Sequence, residues 1–281
     1  MDWSQVFNFS DYDKLLPLVT NSLIAGALLA LIGGLVGVFV MTRELSFAVH
    51  GIAELSFAGA AVFLLIGLDV VLGSVFGSII AAAIIAFLGE RAKDRNSIVA
   101  VLMPFGLGIG ILALSLYPGR AANKFGLLTG QIVAVDDPKL ASMAVITLVV
   151  LIAMLVIWRP LSFASLDAEV AAARGVPTKI LGVAFVLLLG LSVAAAVQVV
   201  GALLVLALLV TPAAAALRLS SSQLWVPILS VIFALIAMLG GTLLALGGTL
   251  PISPYVTTIS FLIYLSARVI AFAKSRLEVK A

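Results

Sequence analysis

The chain of 281 residues is 63% hydrophobic and only 10% charged, with a formal net charge of +3. Because soluble domains carry about 25% charged residues, these values exclude a water-soluble globular protein and predict a surface that faces lipid. The chain has no cysteine, one histidine and no basic run interleaved with aromatic residues, which excludes disulfides, a multi-histidine site within one copy and nucleic-acid binding.

Nine apolar stretches are long enough to cross a membrane, since a helix of about 20 residues spans the hydrocarbon layer. In chain order they cover residues 16–42, 46–66, 69–89, 97–117, 140–158, 178–197, 199–217, 224–247 and 254–273. They predict an all-α polytopic transmembrane bundle of about nine spans, with eight to ten as the range. The sequence from 178 to 217 is nearly continuous, so it forms either two tightly turned helices or one long helix followed by a broken piece.

The sequence predicts one membrane domain, residues 16–273, preceded by an outer segment, 1–15, and followed by a cytoplasmic tail, 274–281. Cytoplasmic loops carry an excess of Lys and Arg. Nine spans place twelve of the 16 basic residues on one side, so we expect the N-terminus outside and the C-terminus in the cytoplasm. The two longer loops, 118–139 and 159–179, are then on the outer and inner sides, respectively.

Glu54 is the one carboxylate of 13 that this topology places inside a span. His50 lies four residues earlier, so on a helix both side chains project from one face, one turn apart. A charge at membrane depth costs about 2.5–3.5 kcal/mol on insertion scales, and an imidazole with a carboxylate suits a divalent metal. The pair therefore predicts a metal or proton pathway. The alternatives are a structural pair that locks two helices, or a span that starts later and leaves His50 near the interface.

Residues 166–177 of the inner loop predict a short amphipathic helix. Asp167 can cap its start, Gly175 can end it, and Pro177 follows. Such a helix is either a docking surface for a soluble partner or a plain connection between spans.

Two motif absences limit the chemistry of the chain. The sequence contains no G-x-x-x-x-G-K-[ST] phosphate loop and no G-x-S-x-G nucleophile elbow. We therefore expect that the chain is not an enzyme, and that any ATP used for transport is hydrolysed by a separate chain.

Five stretches resemble the membrane permease subunits of manganese, zinc and iron ABC importers, the ABC-3 type. They are HGIAELSFAGAAVFLLIG at 50–67, FGLLTGQIVAVDDPKL at 125–140, LDAEVAAARGVPTKIL at 166–181, VGALLVLALLVTPAAAALRL at 200–219 and PISPYVTTISFLIYLSA at 251–267. In that family an Asp and a His stand four residues apart before a glycine. Counted back from Gly59, these positions are His50 and Glu54, so the two chemical groups are retained in reversed order.

The resemblance implies a type II ABC importer-like fold in the plasma membrane of a prokaryote. The chain would then pair with a second copy of itself, a cytoplasmic ATPase and an extracytoplasmic metal-binding lipoprotein. It would pass Mn²⁺, Zn²⁺ or Fe²⁺ along the homodimer interface without a tightly bound cofactor. His50 and Glu54 would be metal ligands, and the segment that docks on the ATPase would include the coupling residues Asp167, Glu169, Ala171 and Gly175.

Three other functions are compatible with the residues alone. A secondary transporter would use His50 and Glu54 as a proton relay. An ABC permease for an organic metal chelate, such as a siderophore or cobalamin, would not need this pair. A membrane scaffold would transport nothing.

Overall fold

The computed structural model describes residues 12–89, 92–119, 135–202, 204–246 and 251–278, and the regular structure within these ranges is helical. A helical turn, α1 (Tyr12–Leu15), and a 3-10 turn (Leu16–Val19) lead into the first long helix. The helices that follow are α2 (Thr20–Thr42), α3 (Ser46–Leu65), α4 (Val70–Leu88), α5 (Ala92–Leu116), α6 (Asp137–Leu166), α7 (Ala168–Ala173), α8 (Thr178–Val200), α9 (Val205–Leu209), α10 (Thr211–Leu219), α11 (Trp225–Leu246) and α12 (Ile252–Glu278). The all-α prediction is confirmed.

Eight helical stretches of the described chain are long and apolar enough to cross a membrane, with mean hydropathies from 1.7 to 3.0. They are α1–α2 together, α3, α4, α5, α6, α8, α11 and α12. Each coincides with a predicted span. In α3 and α8 most side chains of the spanning part are buried, whereas in α6 and α12 few are, which is the distribution expected for lipid-facing helices.

The remaining predicted span, 199–217, is not one continuous helix. Helix α8 ends just before Gly201, whose φ of +76° is unfavourable for residues with a Cβ. The chain then forms α9 and α10, which meet at Val210 just before Pro212. Pro212 has no N–H to continue the hydrogen-bond ladder. Even as one straight helix, the segment Val205–Leu219 would reach only about 22 Å, short of the roughly 30 Å hydrocarbon layer, so the structure has the long helix followed by a broken piece.

Several helices extend past the predicted span ends. Helix α6 continues through Pro160 to Leu166, so the predicted inner loop at 159–179 is helical over its first residues. Helix α5 begins at Ala92 and α12 continues to Glu278. Hydropathy marks where a helix leaves the hydrocarbon, whereas the backbone ladder can continue into the interface. Residues 1–11 of the predicted outer segment, 120–134 of the predicted outer loop, and 279–281 of the predicted tail lie outside the described residues.

The chain forms two compact units. The first contains α2, the start of α6, and the helices from α10 to α12. Within it α10, α11 and α12 pack against one another. The Ser230 hydroxyl of α11 donates a hydrogen bond of 2.7 Å to the carbonyl oxygen of Gly34 in α2. This bond fixes α11 against α2.

The second unit contains α3, α4, α5, most of α6, α7 and α8. Helix α3 lies at its centre, packed against α4, α5 and α8. The hydroxyls of Ser56 and Ser74 are 2.7 Å apart, and Ser74 also lies 3.3 Å from the carbonyl oxygen of Ala194. These buried serines connect α3, α4 and α8 at one level of the bundle.

Glycines bring the backbones of α3 and α4 into direct contact. A Cβ at Gly77 would lie 2.1 Å from the carbonyl oxygen of Leu55, and a Cβ at Gly59 would lie 2.2 Å from that of Gly73. Small residues allow this close approach between membrane helices. The contact holds the part of α3 that carries the ionisable pair.

Candidate metal site

His50 and Glu54 lie one turn apart on α3, on the same face of the helix. Their closest atoms, His50 Nε2 and Glu54 Oε1, are 3.8 Å apart. The Glu54 side chain is only 7% exposed, while that of His50 is 26% exposed. The predicted juxtaposition is confirmed, and His50 is the member of the pair that can be reached from outside the chain.

Both side chains lack the hydrogen bonds that a structural pair would have. At 3.8 Å the contact is longer than a hydrogen bond. His50 Nδ1 and Glu54 Oε2 are buried, and neither has a partner among the described residues. Buried polar atoms are nearly always satisfied in folded proteins. The two side chains therefore make no hydrogen bond that would lock α3 to another described helix.

The spacing fits two ligands of one metal ion. Two donor atoms each about 2.1 Å from an ion can be at most about 4.2 Å apart, and the observed 3.8 Å lies within that limit. Two ligands do not complete a coordination shell of four or more. No group of three or more His, Cys, Asp or Glu side chains occurs in the part of the chain that the structure describes. A metal ion held by this pair would need further donors from water, from backbone or amide oxygens, or from another chain.

The capped helix predicted in the inner loop is confirmed as α7. Asp167 Oδ1 accepts hydrogen bonds from the backbone N–H groups of Glu169, at 3.0 Å, and Val170, at 2.9 Å. Gly175 follows the helix with a φ of +83°, the conformation that commonly ends a helix at glycine. The predicted local structure at Asp167 and Gly175 is therefore correct.

The surface of α7 is almost entirely exposed. Asp167, Glu169 and Gly175 are exposed, and Val170 exposes 47% of its surface. Ala171 is the exception because it is fully buried. Ala171 therefore fixes α7 to its own chain, and the other predicted coupling residues are the ones that face outward.

These features define a multi-pass helical membrane protein with a His–Glu pair inside one of its described spans. The chain belongs to the ABC 3 transport family, whose model matches residues 16–271. It is accordingly the membrane permease of an ABC transporter, and the ATPase is a separate subunit. Family membership confirms the resemblance inferred from the sequence motifs.

Proteins of similar sequence and structure align with this chain over most of its length. The manganese transport system membrane protein MntC of Halalkalibacterium halodurans is 28% identical over 233 residues, which are 82% of this chain and 80% of the relative. The manganese import system permease protein ScaB of Streptococcus parasanguinis is 27% identical over 206 residues, 73% of each protein. A solved structure of PsaBC from Streptococcus pneumoniae in complex with Fab matches with a TM-score of 0.84 and 23% identity, covering 96% of this chain and 100% of that chain. The structural match supports the fold.

Proposed function

We propose that this permease imports Mn²⁺ or a related divalent transition-metal ion, Zn²⁺ or Fe²⁺, and that His50 and Glu54 form part of its gate. The observation that carries the proposal is the imidazole–carboxylate pair inside a membrane span, in which Glu54 is buried and neither His50 Nδ1 nor Glu54 Oε2 has a hydrogen-bond partner among the described residues. Two of the similar proteins are named as manganese transport proteins, which supports manganese as the first metal to test.

The ligand types suit such an ion. A carboxylate offsets positive charge in a low-dielectric surrounding, and an imidazole favours transition metals over Mg²⁺ and Ca²⁺. Reversing the family's order keeps both groups on one helix face, because ligands four residues apart align in either order. It moves the carboxylate about 6 Å further along α3. We expect this shift to alter the affinity of the gate rather than remove it.

A second copy of the chain would complete the coordination shell. Two imidazoles and two carboxylates around a shared axis would supply four ligands. The described part of a single chain has no group of even three such ligands. The partial exposure of His50 supports this arrangement, since a ligand must be reachable from outside the chain.

The proposed complex has partners on both sides of the membrane. A cytoplasmic ATPase would dock on α7, through the exposed Asp167, Glu169 and Gly175, while the buried Ala171 transmits the movement to the bundle. A metal-binding lipoprotein would deliver the ion outside a prokaryotic plasma membrane. The topology proposed from basic residues, with the N-terminus outside and the C-terminus inside, requires the broken segment 205–219 to bring the chain back to the cytoplasmic side.

The test is uptake of ⁵⁴Mn²⁺ by cells that contain the permease, its ATPase and its binding protein at equal membrane abundance. We expect His50→Ala and Glu54→Gln to lose about 10- to 100-fold or more of the uptake, the range found when metal sites lose supporting contacts. Asp13→Asn is a matched control, because it neutralises an exposed carboxylate far along the chain from the pair.

Two results would contradict the gate. Unchanged uptake in both His50→Ala and Glu54→Gln would remove these residues from the pathway. Uptake of a chelated metal in place of the free ion would assign the permease to organic complexes. Metal-dependent ATP hydrolysis by the purified complex provides an independent measure of coupling.

A further inference from the structure

A cavity of about 400 Å³ lies in the second unit, at the end where α7 is located. Its lining comes from the connection between α2 and α3, from the adjacent ends of α4 and α5, and from the first turns of α8. The lining residues are Arg43, Leu45, Ile85, Ala86, Phe87, Gly89, Arg95, Thr178, Lys179, Gly182, Val183 and Val186. Three of them are basic, and none is acidic.

Hydrogen bonds within the chain hold the two guanidinium groups at the cavity. Arg43 Nη1 donates to the hydroxyl of Ser165, 3.3 Å away, in the last turn of α6. Arg95 Nη2 lies 3.3 Å from the carbonyl oxygen of Arg43 and 3.4 Å from that of Glu44. Arg95 Nε is buried and has no partner among the described residues. The cluster thus retains unused hydrogen-bond donors.

Among the described residues, ion pairs do not balance the positive charge of the cluster. No described carboxylate forms a salt bridge with Arg43, Arg95 or Lys179, although Glu44 acts on Arg95 electrostatically. Burial lowers the pKa of Arg43, and the nearby Arg95 guanidinium lowers it further. Charges in this position are favourable only beside an anion. Positive charges repel a divalent cation, so we do not expect this cavity to bind the transported metal.

The rim of the cavity is apolar and exposed. Phe87 exposes 67% of its surface, and the neighbouring residues Leu88 and Ile180 expose 61% and 70%. These side chains stand at the ends of membrane helices, where basic groups and apolar surface meet lipid. A soluble anion needs only the basic groups, whereas a lipid with an acidic headgroup uses both features.

We propose that this cavity binds the phosphate of an anionic phospholipid, with Arg43, Arg95 and Lys179 contacting the headgroup and the acyl chains lying along Phe87 and Ile180. Basic pockets between spans bind acidic headgroups in this way. Because Arg43 bonds to Ser165 just before α7, the lipid would steady the attachment of the helix proposed to contact the ATPase. The lipid site itself does not depend on which metal is transported.

The test titrates the delipidated full-length chain in detergent with dioleoyl phosphatidylglycerol and counts bound lipids by native mass spectrometry. We expect one saturable site that dioleoyl phosphatidylcholine does not fill. Lys179→Gln should weaken binding about fivefold, the effect of one basic residue near an acidic membrane surface. Lys179 is exposed and makes no described contact that the fold needs, so this variant should fold.

A second variant blocks the cavity without removing charge. A Cβ at Gly182 would meet only Arg43 Nη2, at 3.4 Å, so Gly182→Leu can extend into the space and should abolish the saturable site. Arg159→Gln is the matched control, because Arg159 is exposed, basic and not part of the lining. It should bind lipid like the unaltered chain.

Four outcomes would overturn the proposal. If phosphatidylcholine binds as well as phosphatidylglycerol, the cavity does not distinguish an anionic headgroup from a zwitterionic one. If Arg159→Gln weakens lipid binding as much as Lys179→Gln does, the effect is general electrostatic attraction between the chain and the lipid. Full displacement of the lipid by inorganic phosphate would assign the cavity to a soluble anion. Displacement by the ATPase subunit would make the cluster a protein contact instead.

Discussion

The closest helix contact in the second unit provides a strong test of the architecture. A Cβ at Gly77 would lie 2.1 Å from the carbonyl oxygen of Leu55, whereas ordinary contacts begin at 3.4 Å. A single methyl group therefore requires α3 and α4 to separate by about 1.3 Å. The atom in the way is backbone, so no side-chain rotation can relieve the overlap. We expect Gly77→Ala to destabilise the chain by about 1–3 kcal/mol, the usual cost of overpacking.

The same displacement should reach the ionisable pair. Leu55 is next to Glu54, and a Cβ at Gly106 of α5 would lie 3.0 Å from the carbonyl carbon of Glu54. Helix α3 is therefore in close contact with both α4 and α5 near the pair. We expect Gly77→Ala to reduce metal uptake as well as stability, although Gly77 is on another helix and carries no ligand.

The assay compares Gly77→Ala with Gly108→Ala by thermal unfolding in detergent and by metal uptake at equal abundance. A Cβ at Gly108 would meet no atom within 4 Å, so this control adds the same methyl group to an exposed helix position. It should be neutral or slightly stabilising, since alanine favours a helix by about 1 kcal/mol over glycine. Equal unfolding temperatures and uptake in the two variants would refute the packing argument.

Three further predictions concern local structure. Asp167→Ala removes the N-cap of α7 and should destabilise that helix by about 1 kcal/mol, which hydrogen exchange would detect as faster exchange in α7. Asp167→Asn retains a capping side chain, so equally slow exchange in the two variants would count against the cap. Gly175→Ala places a Cβ at a φ of +83° and should cost about 1–2 kcal/mol, seen as a lower unfolding temperature than that of Gly108→Ala. Ser74→Ala removes hydrogen bonds to Ser56 and α8 and should cost about 1 kcal/mol. Ser78→Ala, whose hydroxyl bonds within its own helix, is the comparison, and equal stability of the two serine variants would contradict that interhelical role.

Much of the fold could be predicted because the lipid interior offers no water to hydrogen-bond with the backbone. An apolar stretch of sufficient length must be a helix if its polar groups are to be satisfied, and eight such stretches are present in the described chain. The segment 199–217 has the same hydropathy and a different structure. Its breaks depend on the conformation of Gly201 and on the absent N–H of Pro212, and hydropathy measures neither.

Some features of the candidate site could likewise be predicted from the sequence, and others could not. The placement of His50 and Glu54 on one face follows from helix geometry alone, and so does the cap at Asp167. The lack of hydrogen-bond partners around the pair depends on which neighbouring helices approach it. The burial of Ala171 depends on tertiary packing, since alanine in a short helix gives no sign of its direction. The basic cavity was not predicted, because Arg43, Arg95 and Lys179 come from separate parts of the chain.

The central position of α3 also restricts how a gate on it could operate. Packed against α4, α5 and α8, with backbone contacts at Gly59 and Gly77, this helix has no room to bend or rotate by itself. The spacing between His50 and Glu54 would then stay constant while the transporter works. Release of an ion held by this pair would then depend on the withdrawal of ligands supplied from elsewhere, while α3 keeps its own two ligands at a fixed spacing.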